Sequence, residues 1–132
     1  MQPSPPPNPV IFMHPHIGVE DARAHSSFLA HFFRSAAPLL EPMGAIHVAL
    51  TTGQAERWEA ARQARRVGLF VIEVQPLETA ALERAGYQLR RTARRGTFRS
   101  VAGGSVVLTL ARTPAAKARW SDVMLWGKGK VK

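Results

Sequence analysis

The chain has 132 residues, enough for one domain with a single core, and carries 18 basic against 9 acidic side chains for a formal net charge of +9. That balance points to nucleic acid or another polyanion as partner, with a merely solvated basic surface as the bland reading. With no cysteine, disulfides and thiolate metal sites are excluded, and no apolar run approaches the roughly 20 residues a membrane helix needs.

Residues 1–9 contain five prolines and read as an extended, disordered lead-in. They have neither a basic nor an apolar signal region, so secretion is not expected. Val10-Ile11-Phe12-Met13 is a short apolar run. Continuous apolarity predicts a strand buried on both faces, as in a parallel sheet. Pro15 ends it, and Gly18 gives the following loop backbone freedom. Asp21 or Ser26 then caps a helix. Phe28, Phe32, Ala36 and Leu40 recur at four-residue spacing beside Leu29 and Phe33, which makes one apolar face. Pro38 tightens the last turn, and Glu41 to Gly44 end it.

Ala45 to Leu50 reads as a second buried strand. Gln54 to Val67 reads as one helix with Ala55, Trp58, Ala61 and Ala64 inside and Arg57, Arg62, Arg65 and Arg66 outside. Gly68 stops it. Leu69 to Val74 is a third strand, and Leu77 to Ala85 a short helix. Ser105 to Leu110 is a fourth strand. A weaker strand at Thr97 to Val101 is expected to pair with it across Gly103-Gly104, adding an antiparallel strand at one side. The alternation predicts an α/β domain with a mostly parallel sheet and right-handed crossovers. Residues 113–132 form a basic tail.

Between Arg84 and Arg99 stand six arginines and no acid. Arg90, Arg91, Arg94 and Arg95 suit phosphate contacts, because a guanidinium donates two parallel hydrogen bonds. Tyr87, within Gly86-Tyr87-Gln88-Leu89-Arg90-Arg91-Thr92, suits stacking on a base, or packing on the sheet. His14 and His16 flank Pro15 just past a strand end, where parallel sheets present ligand sites. Two histidines with no third ligand at a recognisable spacing do not read as a metal site. Trp58 reads as core, and His25, His31 and His47 as structural or surface residues.

Five segments in order carry a family resemblance. Leu39-Leu40-Glu41-Pro42-Met43-Gly44 before a buried strand resembles the turn ahead of the fifth strand of class I methyltransferases. Phe12 to Gly18 is similar to a Phe-Asn-Phe-Pro-His-x-Gly motif. Phe28 to Ala36 resembles a Leu-Leu-x-x-Phe-Phe-x-x-Ala helix. Leu50 to Gly53 with Trp58 resembles a Thr-Leu-x-x-Gly-x-Pro-Tyr-x-x-Trp segment. Gly86 to Thr92 resembles Pro-Gly-Tyr-x-x-Arg-Arg-Thr, the most specific of the set. Together, over residues 10–112, they resemble the Rossmann-like domain of the 25S rRNA (uridine-N3) methyltransferase family, in its C-terminal half. Met13 and His14 depart from the motif, as do Gln54 to Arg57 and Ala85.

The resemblance implies a class I methyltransferase sheet, rRNA as substrate, S-adenosylmethionine as cofactor and a nuclear or nucleolar setting, with the cytoplasm as the alternative. Residues 12–18 become the target-base loop. His16, which matches the family's histidine, becomes the candidate proton acceptor, with His14 as a weaker one and Pro15 and Gly18 shaping the loop. The competing reading of His16 is a loop histidine hydrogen-bonded to backbone. Phe12 and Met13 become weak cofactor contacts. No Gly-x-Gly-x-x-Gly turn occurs, so the Gly-rich cofactor half is expected to be missing from this chain. Residues 10–13 then form an apolar edge awaiting a missing N-terminal half or a second chain. The alternative is a non-catalytic RNA-binding module or a truncated relic.

Overall fold

The computed structural model describes residues 9–13, 21–78, 104–116 and 118–123. Four strands make one sheet: β1 (Val10–Met13), β2 (Ala45–Thr51), β3 (Phe70–Pro76) and β4 (Ser105–Ala111), in the order β1-β2-β4-β3. β1 is parallel to β2, whereas β4 is antiparallel to both β2 and β3. The three earlier strands therefore share one direction and the late strand opposes them. The antiparallel strand does not sit at one side, as the sequence suggests. It lies between β2 and β3, with both hydrogen-bonding edges occupied over nearly its whole length. The partner strand expected at Thr97 to Val101 lies outside the described residues.

The first helix, α1 (Ala22–Ala36), starts where expected. Asp21 caps it, its Oδ1 accepting from the Ala24 N–H at 3.0 Å. Pro38 then shapes a 3-10 turn over Ala37–Leu39. The Arg112 guanidinium donates to the Ala37 carbonyl, so the end of α1 is tied to the end of β4. The buried face of α1 is His25, Leu29, Phe33 and Ala36. Phe28 and Phe32 are only half-buried. They flank that face and meet Phe12 of β1, with ring centroids 5.7 and 4.4 Å away.

The single helix expected over 54–67 is broken. It forms α2 (Gln54–Arg57) and α3 (Ala60–Arg65), separated by Trp58 and Glu59. Glu59 takes φ 52, a left-handed conformation that costs a non-glycine residue roughly 1–2 kcal/mol. The offsetting gain is at Trp58, which is buried and stacks on His25 with centroids 4.0 Å apart and planes 7° from parallel. The break also resets the face. Ala60, Gln63 and Ala64 point inward, while Ala61 is exposed. Gln63 donates to Ser26 Oγ at 2.8 Å, joining α3 to α1.

Strand alternation divides the core between two sheet faces. Ile46, Val48 and Leu50 of β2, with Leu108 and Leu110 of β4, pack under Leu29, Phe33, Trp58, Ala64 and Leu69. The opposite face is covered by Ala116, Ala118, Trp120 and Val123, which lie in the stretch the sequence reading assigns to the basic tail. Ala116 and Ala118 lie on Ala45 and Ala111, and Trp120 lies on Ala49, Val107 and Leu77. The small side chains of that face let an irregular segment approach closely.

The two outer strands are less buried than their sequences imply. β1 was expected to be covered on both faces, yet Ile11 is 45% exposed. As an edge strand, β1 pairs only with β2 among the described residues, and no described strand neighbours its outer flank. β3 forms the other edge, and its Val74 is 59% exposed.

Candidate functional site at the carboxyl ends of the parallel strands

Met13, Thr51 and Pro76 end β1, β2 and β3 on the same side of the sheet. The ladders establish this alignment: Met13 stands opposite Ala49, Thr51 opposite Ser105, and Pro76 opposite Val106. In open α/β sheets, ligands bind beyond such carboxyl ends.

Three chain exits meet there. Residues 14–18 follow Met13 directly. Residues 79–103, which include the arginine run, leave after Glu78 and return at Gly104. Leu77 donates its N–H to the Ser105 carbonyl at 2.9 Å, and Thr52 donates its N–H and its hydroxyl to the Gly104 carbonyl at 3.0 and 3.2 Å. Departure and return are thus clamped beside the end of β2. His14, Pro15, His16, Gly18, Tyr87, Arg90, Arg91, Arg94 and Arg95 themselves lie outside the described residues, as do the helix expected over 79–85 and the strand expected over 97–101.

The turn after β2 is built from local chemistry. Gly53 takes φ 95, a conformation that L side chains rarely adopt. Gln54 reaches back, its Oε1 accepting from the Thr51 N–H at 2.9 Å. Beside this turn a cleft of about 500 Å³ opens between α2, α3 and the sheet. Val71, Val74, Val106 and Leu108 line it, with Glu56, Glu59 and Arg62 also contributing. Such a lining binds apolar or planar groups.

Phe12 and Met13 split between the sheet faces. Phe12 belongs to the aromatic contact with Phe28 and Phe32, whereas Met13 packs against the cluster of Ala49, Val107 and Trp120. Neither presents a polar group to a cofactor. Met13, Thr51 and Pro76 themselves carry no carboxylate, the nearest described ones being Glu56 of α2 and Glu78 two residues past β3, and the sequence has no Gly-rich phosphate-type turn. The described residues alone therefore do not fit S-adenosylmethionine. Among them, no group of three or more metal-ligating side chains comes together.

One residue was undervalued by sequence reasoning. His47 stands in the middle of β2 and is completely buried. Its Nδ1 hydrogen-bonds with Thr109 Oγ1 at 2.9 Å, and its ring lies 5.4 Å from that of Trp120. Nε2 has no partner among the described residues. Burial lowers its pKa from 6.5 to about 4, so the ring is neutral near pH 7. The available signal was its position in an otherwise apolar strand, on the same parity as Ala45 and Ala49.

Among the described residues, no helix is long and apolar enough to cross a membrane. No curated protein matches the chain. Among solved structures, the crystal structure of an M1.HpyAVI–SAM complex is similar at a TM-score of 0.45 and 16% identity. The match covers 88% of this chain and 46% of that one, so the present chain spans under half the length of that protein. Residues 6–91 match the family described as rRNA (uridine-N3-)-methyltransferase BTM5-like, and with most of its length inside that match the chain belongs to this BMT5-like family.

Proposed function

We propose that this chain is the RNA- and base-facing part of an rRNA uridine-N3 methyltransferase that uses S-adenosylmethionine. The observation that carries the reading is the departure of three chain exits from one end of the sheet. The His-Pro-His loop and the arginine-rich segment both depart from the carboxyl ends of β1, β2 and β3. Residues 10–112 would form the methyltransferase portion, with 1–9 as a lead-in and 113–132 as a basic tail.

The chemistry asks three things of the protein. The base must be displayed out of its stack. Tyr87 is suited to hold it by stacking, and Arg90, Arg91, Arg94 and Arg95 to hold the flanking phosphates. The N3 nitrogen must lose its proton, and His16 is the proposed acceptor. Pro15 and Gly18 shape its loop, with His14 as the less favoured acceptor. The cofactor supplies the methyl group. Its site requires elements beyond the described residues, and the open flank of β1 is where an N-terminal half or a second chain would add strands. A nucleolar setting follows from an rRNA substrate. A non-catalytic RNA-binding module is the second reading, favoured by the lack of a cofactor cradle in the described residues.

The test is made in the source organism. Its gene is disrupted, its rRNA is digested to nucleosides, and 3-methyluridine is quantified by mass spectrometry. Loss of 3-methyluridine, restored by the original gene but not by His16→Ala, is the expected result. An unchanged level would sink the enzyme reading and leave the RNA-binding module.

A further inference from the structure

We propose that Arg57 is an RNA phosphate-binding residue at the carboxyl end of β2. The proposal rests on the rRNA reading above and deepens it by assigning a contact outside the arginine run.

The placement comes from Gly53. A Cβ built on that glycine would lie 3.3 Å from Arg57 Nη1, so the guanidinium is folded back over the turn that ends β2. The main chain of Arg57 is fixed at this turn, because its N–H donates to the Gly53 carbonyl at 3.1 Å. The next residue is Trp58, whose stack on His25 anchors the end of α2 in the core. Arg57 is therefore an exposed cation on a fixed base.

Several other arginines of the described residues are already engaged. Arg62 pairs with Glu59 at 2.8 Å, Arg66 donates to Gln63, Arg112 donates to Ala37, and Arg119 lies near Glu73 and the Ile72 carbonyl. The Arg57 guanidinium has no hydrogen-bond or ion-pair partner among the described residues. A guanidinium without a carboxylate partner keeps its full fork of donors for an external anion. The Thr52–Gly104 bonds place the return of the 79–103 segment beside it. An RNA strand crossing the carboxyl ends of β1, β2 and β3 would pass within reach of Arg57. The competing anion is a cofactor carboxylate, and affinity for S-adenosylmethionine separates the two.

The test measures binding of a uridine-rich RNA oligonucleotide across a salt series for the full chain, Arg57→Gln, Arg57→Lys and Arg34→Gln. Arg34 is exposed and lies in the last turn of α1, at the opposite end of the sheet beside Arg112, so its loss is the charge-matched control. Loss of one phosphate contact on single-stranded RNA lowers the slope of log K against log salt by about 0.7. That drop is expected for Arg57→Gln alone. Arg57→Lys should retain the slope, since a point charge still displaces a counterion. Equal drops in Arg57→Gln and Arg34→Gln would overturn the proposal in favour of general charge. So would an unchanged slope in Arg57→Gln, or a loss confined to S-adenosylmethionine affinity. These outcomes are distinct from failure of the enzyme reading, which is read from 3-methyluridine and not from the slope.

Discussion

His47 and Thr109 face each other across the β2–β4 ladder, Nδ1 to Oγ1 at 2.9 Å, and this is the only hydrogen bond the buried imidazole makes among the described residues. The bond leaves Nε2 bare under Trp120. Protonating the ring would place a charge in a dry site with no acceptor for the second N–H. The folded pKa of about 4 lies below the ordinary 6.5, so the unfolded chain binds more protons between those values. Stability from this group is full above pH 6.5 and is lost as pH falls toward 4. The loss amounts to roughly 3 kcal/mol. Urea melts at pH 7 and pH 4.5 should show His47→Gln losing much less than the original chain. A stability gap between the two proteins that does not move with pH would remove His47 as the titrating group.

Trp58 joins both helical segments to the sheet. Its burial and its stack on His25 make Trp58→Ala a large-to-small core change, costing about 3–5 kcal/mol. Trp58→Phe keeps a ring against His25 and should cost clearly less. Denaturant midpoints check both. A cost under about 1 kcal/mol for the alanine variant would mean that the stack is not a core element.

Gly53 allows backbone strain and side-chain contact to be separated. Gly53→Ala meets both a φ of 95 and the Arg57 guanidinium. The backbone part is expected to cost about 1–2 kcal/mol. In a double-mutant cycle, Arg57→Gln should recover little of it, because an exposed side chain can move aside. Full recovery would show that the contact, and not the left-handed turn, decides the cost.

Asp21 gives a smaller and local effect. Asp21→Ala removes the acceptor of the Ala24 N–H and should cost about 1 kcal/mol, with Asp21→Ser losing only a fraction of that. Thermal melts of the two variants test this. Equal losses would mean that the cap bond contributes nothing.

Much of this architecture could be read from local sequence. The cap at Asp21, the turn at Pro38 and the strands of residues 45–51 and 105–111 follow from residue chemistry that acts over a few positions. What was not legible depends on contacts distant in sequence. Spacing marks Phe28 and Phe32 as the helix face, but Phe12 on the neighbouring edge strand draws them aside and His25 takes a buried position instead. Helical periodicity runs on through Glu59, yet the stack of Trp58 on His25 breaks it. β4 enters between β2 and β3 because strand order is set by crossovers that no local pattern records. Of the candidate site, the sequence reveals the basic segment and the histidine loop. The structure adds that their exits converge, and that Arg57 stands beside them.

The most direct measurement is photocrosslinking of 4-thiouridine-substituted rRNA to the protein, with the modified peptides mapped by mass spectrometry. Crosslinks concentrated in residues 13–21, 51–58 and 77–104 are expected, since Met13, Thr51, Leu77 and Gly104, where these segments begin or end, stand at the carboxyl ends of β1, β2 and β3. Crosslinks confined to residues 40–45 and 111–116, at the opposite edge, would contradict the assignment of the RNA-facing site.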